Sequence, residues 1–156
     1  MEARATALVY RDAVEADLPV LVAMLAEDAL GASREDPSTP LNLRYLEAYR
    51  HIAADPNNAL TVVEENGAPV GMLQLTFIPY LTHTGSRRCL IEGVRIHRDH
   101  RGRGLGREFM RWAIERARER GCSIVQLTSD KQRPDALRFY EALGFSASHE
   151  GFKLRL

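Results

Sequence analysis

"HRDHRGRGLGREFM", His97 to Met110, sets Gly102, Gly104 and Gly106 at alternate positions among Arg98, Arg101, Arg103 and Arg107, then turns at once into an amphipathic run. Before it, "CLIEGVRIH" reads as a strand. From Gly104 onward Leu105, Phe109, Ala113 and Ala117 keep helical register, with arginines gathered before Gly121. A strand, a flexible turn and a helix start together make an anion site, because free backbone N–H groups converge where the helix dipole is positive. Two familiar phosphate patterns do not fit, since Arg107 and Phe109 occupy places that a P-loop or a dinucleotide fingerprint gives to glycine or lysine. On spacing alone, a solvated arginine-rich turn between strand and helix is the competing reading.

Working outward, "ALVYRDAV" reads as a first strand and "EADLPVLVAMLAEDALG" as a helix capped by Asp17 and closed by Gly31. "LNLRYLEAYRHIAAD" is a second helix after the polar loop "ASREDPSTP". "ALTVVEENGAPVGMLQLTFIPY" is two β-rich runs joined by Asn66 and Gly67, a pair that accepts the positive φ of a tight hairpin turn. Beyond the central helix, "CSIVQLTS" is a strand, "PDALRFYEALG" a helix starting at Pro134, and "FKLRL" a closing strand. The element order is β-α-α-β-β-β-α-β-α-β, in one domain over residues 1–156.

Composition narrows the partners. Lys plus Arg and Asp plus Glu both total 21, so the formal net charge is zero, and Glu108 interrupts the arginine run; nucleic acid is not expected as a partner. No apolar run approaches the roughly 20 residues that span a bilayer, and "MEARATALVYRD" lacks the apolar core of a signal peptide, so the expected location is the cytoplasm and no membrane is involved. Cys89 and Cys122 lack metal spacing and read as buried free thiols, and His97 with His100 has no third ligand, so no metal is expected.

Arg101, Gly104 and Gly106 match a specific signature: Gln or Arg, two residues, Gly, one residue, Gly or Ala. The stretch resembles the acyl-CoA pyrophosphate loop of the GCN5-related N-acetyltransferase (GNAT) family, and "IEGVRIH" and "DALRFYEALGF" are similar to that family in order and spacing. The resemblance covers nearly the whole chain, most specifically residues 88 to 146. It implies an α/β (α+β) GNAT fold: a central mixed, mostly antiparallel sheet of about seven strands, splayed between strands 4 and 5 and flanked by about four helices. It further implies acetyl-CoA as acyl donor, its pyrophosphate on Arg101, Gly102, Arg103, Gly104, Leu105, Gly106 and Arg107, and its pantetheine arm along the backbone of Val94 and Ile96. Many members carry Asn at the position of Arg133, so that cofactor contact rests here on an arginine, which could instead serve a phosphate or an acidic substrate. Arg98 stands where the family commonly has proline.

Acetyl transfer to an amine needs a base, because a free alkylamine with pKa of about 10.4 is almost fully protonated at neutral pH. Glu92 is the candidate: strand alternation puts it with Leu90, Val94 and Ile96, where partial desolvation would raise its pKa, although a bulge would change the facing. An ion pair with Arg88 or Arg95 is the competing reading. The departing thiolate needs an acid, and Tyr140 matches the tyrosine to which similar enzymes give that role. Its alternative is a core position on the stripe Leu137, Tyr140 and Leu143.

The family's variable segments imply an acceptor wall, with Tyr45, Tyr80 and His83 as candidate lining residues. The expected activity is acetyl transfer to a primary amine, with a small-molecule acceptor and a homodimer as expected partners. Alternatives are a noncatalytic acyl-CoA-binding or sensing module, and acetylation of a protein N-terminus or lysine.

Overall fold

The computed structural model describes residues 7–156. The first six residues of the N-terminal segment, on which part of the leader reading rests, lie outside the described residues.

Five strands form one sheet in the order β1 (Leu8–Asp12), β2 (Asn58–Glu65), β3 (Ala68–Pro79), β4 (Arg87–Ile96) and β5 (Ile124–Gln126). The first three pairings are antiparallel and β4 runs parallel to β5, so the sheet is mixed. Asn66 and Gly67 make the expected hairpin turn, both with positive φ. Period-two alternation then divides the side chains between two faces. Leu73, Leu75, Phe77, Cys89 and Ile91 face helix α5 (Leu105–Glu119), packing on Phe109, Met110, Ala113 and Ala117. Val62 and Met72 face the other way, onto Leu21 and Met24 of helix α1 (Leu18–Leu25).

Among the described residues six helices flank the sheet, two more than expected. The long first helix is in fact two: α1 stops at Leu25, and Asp28 starts a single turn, α2 (Ala29–Ala32), by accepting a 2.6 Å hydrogen bond from the Gly31 N–H. An aspartate followed three residues later by the amide it caps is a new helix start, which broke the longer periodic pattern. Asp17 precedes α1 but does not cap it; its carboxylate accepts from the Val14 N–H and from Arg11. Helix α3 (Leu43–Ala54) is as read, and α4 (Thr82–Gly85) is a single turn in which His83 and Thr84 take positive φ. Helix α6 (Pro134–Ala142) completes the set.

The expected seven strands are five among the described residues. "CSIVQLTS" reduces to the three residues of β5, and "FKLRL" pairs with nothing. Alternation alone does not make a strand without a ladder partner, and Phe152, Leu154 and Leu156 all stand exposed.

Candidate active site

The sheet opens where β4 outlasts β5. Their pairing covers only Arg88↔Ile124 to Leu90↔Gln126, whereas β4 continues to Ile96 with β3 alone beside it. The edge of β4 from Ile91 onward is therefore open on that side.

A bulge then re-aims the side chains along this edge. Gln74 pairs with Glu92 and Met72 with Arg95, so Gly93 and Val94 together oppose Leu73 alone, and Gly93 takes φ 63°. Beyond the bulge the parity changes: Arg95 joins Glu92 on the α1 face, while Val94 and Ile96 turn to the core under α5. The shared face expected for Glu92, Val94 and Ile96 is thus corrected at Gly93.

Glu92 is exposed rather than partly desolvated, and it enters no ion pair among the described residues. Both arginines that competed for it are engaged elsewhere. Arg88 lies over the Tyr80 ring at 4.3 Å and meets the His83 Nδ1 at 2.8 Å. Arg95, only 13% exposed, donates from Nη1 to the Val94 carbonyl oxygen at 2.8 Å and has Nη2 3.9 Å from the Asp28 carboxylate. Its Nε is buried without a partner. Burial first, then the neighbouring Arg133, lower the Arg95 pKa.

Tyr140 projects from α6 against Phe139 and Phe145, at ring distances of 5.2 and 5.8 Å. Of the stripe Leu137, Tyr140 and Leu143, Tyr140 and Leu143 pack against the core together with Phe139, and only Leu137 stands exposed. Among the described residues the Tyr140 hydroxyl has no hydrogen-bond partner. Burial raises its pKa, against the pull of Arg95 and Arg133. Arg133, at the start of α6, places Nη1 2.6 Å from Asp28.

The glycine-rich turn is built on two left-handed glycines. Gly102 and Gly104 take φ 73° and 81°, the latter as N-cap of α5, and a Cβ at either would meet nothing within 4 Å. Among the recorded hydrogen bonds of the described residues, none is donated by a backbone N–H from Gly102 to Arg107. That row of free amides at the N-terminus of a 15-residue helix fits a diphosphate. The arginine side chains are less free. Arg101 donates from Nε to the Ile96 carbonyl oxygen at 2.9 Å and from Nη2 to Glu27 at 2.6 Å. Arg103 grips Glu65 at 2.9 and 3.2 Å, and Arg107 is exposed. Leu105 has its side chain in the core, leaving only its backbone to the turn.

The remaining candidates are scattered. The Tyr45 hydroxyl donates to Glu35 and accepts from the Asp36 N–H, both at 2.8 Å, tying the loop before α3. Tyr80 and His83 gather on Arg88 instead. Cys89 is buried and Cys122 only half-buried, both free thiols. A cavity of about 500 Å³ beside Trp112 contains neither Glu92 nor Tyr140. His97 and His100 stack edge-on at 5.8 Å, and no group of three metal-ligating side chains occurs among the described residues. No described helix is long and apolar enough to cross a membrane.

Sequence reasoning missed Asp28 and the setting of Arg95. The signal was the Asp28-to-Gly31 capping pattern, hidden inside an apparently continuous helix.

The chain is similar to known proteins along most of its length. The family model "Acetyltransferase (GNAT) family" matches residues 23–145. A solved structure from Bacillus halodurans C-125, described as a transcriptional regulator, is 55% identical with a TM-score of 0.93, over 96% of this chain and 100% of its own. A candidate acetyltransferase from Agrobacterium tumefaciens str. C58 is 32% identical with a TM-score of 0.82, over 95% and 99%. Aminoalkylphosphonate N-acetyltransferase of Salmonella typhimurium (strain LT2) is 34% identical over 98 residues, and the match spans 63% of each chain.

Proposed function

The chain belongs to the acetyltransferase (GNAT) family, and on that premise we propose that it is an acetyl-CoA-dependent N-acetyltransferase acting on the primary amine of a small molecule. The observation that carries the reading is the pairing of an open β4 edge with the row of free amides from Gly102 to Arg107. An extended thiol arm fits the first and a diphosphate the second. The name of the Salmonella relative supports a small amine as acceptor.

Acetyl-CoA supplies an acyl group already activated as a thioester. The residues of this chain have three tasks. The backbone of Val94 and Ile96, on the stretch of β4 that β5 does not cover and with both carbonyl oxygens already accepting from Arg95 and Arg101, lies along the arm, and the amides from Gly102 to Arg107 hold the diphosphate. Glu92, exposed and unpaired, takes the ammonium proton directly or through water, freeing the nitrogen lone pair for attack on the acyl carbon. As the carbon–sulfur bond of the tetrahedral adduct breaks, Tyr140, whose pKa is raised by burial and which keeps its proton at neutral pH, gives that proton to the departing sulfur, and the second proton lost by the attacking nitrogen restores the phenol.

A second reading, a noncatalytic acyl-CoA-binding module in a single domain of the same kind, draws on the description of the Bacillus halodurans relative as a transcriptional regulator. Thiol release from acetyl-CoA across chemically grouped amines separates the two. An acetyltransferase releases thiol only with a matching amine, whereas a sensor binds acetyl-CoA and releases none above background.

A further inference from the structure

Two arginines converge on one carboxylate beside the proposed acid. Arg133 places Nη1 2.6 Å from Asp28, and Arg95 places Nη2 3.9 Å from the same oxygen. Asp28 meanwhile spends its other oxygen on the Gly31 N–H. One carboxylate cannot balance two guanidinium groups, so the cluster keeps a surplus positive charge.

That surplus is held where it is costly. The Arg95 side chain is 13% exposed, and its Nε is buried without an acceptor. A buried charged group lacking its full set of partners is destabilising unless something else supplies them. A planar guanidinium with free N–H groups, next to a second one, is the donor set that carboxylates and phosphates match.

The position fits an acceptor rather than the diphosphate of CoA. Arg95 shares the α1 face of the sheet with Glu92, across the Gly93 bulge, and Arg133 opens the helix, α6, that carries Tyr140. Arg101 and Arg103, by contrast, belong to the glycine-rich turn and are tied to Glu27 and Glu65. The α1 face of β4 therefore offers an unpaired carboxylate at Glu92 and a guanidinium at Arg95, to which Arg133 is joined through Asp28. A molecule with an ammonium at one end and an acid at the other complements both.

We infer that Arg95 and Arg133, gathered on Asp28, form a subsite for an acidic group on the acceptor, so that the substrate is a small primary amine bearing a carboxylate, phosphonate or phosphate. This rests on the acetyl-transfer reading above. The acidic group takes the N–H donors that Asp28 leaves unfilled, and the amine end is then directed toward Glu92 and Tyr140.

The test compares matched amines in the thiol-release assay: β-alanine and 2-aminoethylphosphonate against neutral β-alaninamide and ethanolamine. The expected kcat/KM is about tenfold or more higher for the acidic members, and the preferred one of the two distinguishes carboxylate from phosphonate. Arg133→Gln, at a partly exposed position, should collapse that ratio toward one through KM for the acidic amines. Arg95→Lys, which keeps the charge but loses the planar fork, should reduce it as well. A merely structural role would lower all four amines together and leave the ratio unchanged.

Equal turnover of acidic and neutral amines, or an unchanged ratio in Arg133→Gln, would overturn the inference while leaving acetyl transfer standing. If no amine releases thiol, the transfer reading fails instead. Calorimetry with 2-aminoethylphosphonate and ethanolamine then decides the subsite separately. Binding of the phosphonate alone, lost in Arg133→Gln, supports it, and equal or absent binding of both refutes it.

Discussion

Glu92 and Arg95 share one face of the sheet because Gly93, at φ 63°, puts an extra residue into β4 between them. Plain alternation would send them to opposite faces. The bulge thus places a free carboxylate and a buried guanidinium together on the stretch of β4 that β5 has left.

Gly93→Ala tests that arrangement. An added Cβ would meet only the Met72 Cε, at 3.9 Å, so the cost is in the backbone rather than in space. Holding a non-glycine residue in the left-handed region costs about 1–2 kcal/mol. Thermal denaturation should show a Tm a few degrees lower, and kcat should fall more than that small loss of stability explains. A variant with native Tm and native kcat would mean that the bulge has no role in the chemistry.

The glycine-rich turn should bind through its amides. Gly104→Ala strains the N-cap of α5, where φ is 81°, and should raise the Kd for CoA by about tenfold, the equivalent of about 1.4 kcal/mol. Arg103→Ala, removing a side chain already committed to Glu65, should change it by less than about threefold. Calorimetric titration with CoA gives both numbers; the reverse order would put the guanidinium groups ahead of the backbone.

Asp17 anchors the start of the fold. Its buried carboxylate is held below the usual range by Arg11, at 2.7 Å, against the opposing effect of burial, and by the Val14 N–H. A depressed pKa adds stability that is present above the ordinary carboxylate range and is lost as pH falls through the folded value. Asp17→Asn should therefore cost about 2 kcal/mol at neutral pH, with a smaller loss on acidification than wild type. Urea denaturation at pH 7 and pH 3 measures the difference.

Burial pushes the Cys89 thiol up to about 12, with Cys122 adding to the rise. The folded state therefore holds this proton longer than the unfolded chain, whose thiol titrates at about 8.5. The contribution is intact below that pH and fades as pH rises toward the folded value. Labelling with an aromatic disulfide reagent at pH 8 should modify Cys122, half-buried, well before Cys89, which should react only on unfolding. Equal rates for the two thiols in the folded protein would contradict this.

Much of the fold was readable because local chemistry and global packing agree. Asn66 and Gly67 mark the hairpin, and Leu105, Phe109, Ala113 and Ala117 draw the buried stripe of α5. The conformation of the glycine-rich turn was readable for the same reason, since positive φ at Gly102 and Gly104 needs that residue type. What escaped depends on neighbours. The alternation of "FKLRL" carries no information on whether a partner strand is there, and none is. Nor does the periodicity from Leu18 to Gly31 show that Asp28 restarts the helix. The facing of Arg95 follows from one glycine in β4, so its meeting with Asp28 and Arg133 needed coordinates.

The most direct test of the central claim is single-turnover and steady-state acetyl-CoA thiol release by wild type, Glu92→Gln and Tyr140→Phe, with CoA affinity measured in parallel. Wild type should release thiol only when a matching amine is present. Each variant should lose about 100-fold or more in kcat while its Kd for CoA stays within a factor of two or so of wild type, as expected for groups that move protons rather than bind the donor. Because burial raises the Tyr140 pKa above its ordinary value of about 10, wild-type kcat should show no loss from tyrosine ionisation below that pH. Wild-type turnover in both variants would contradict the account.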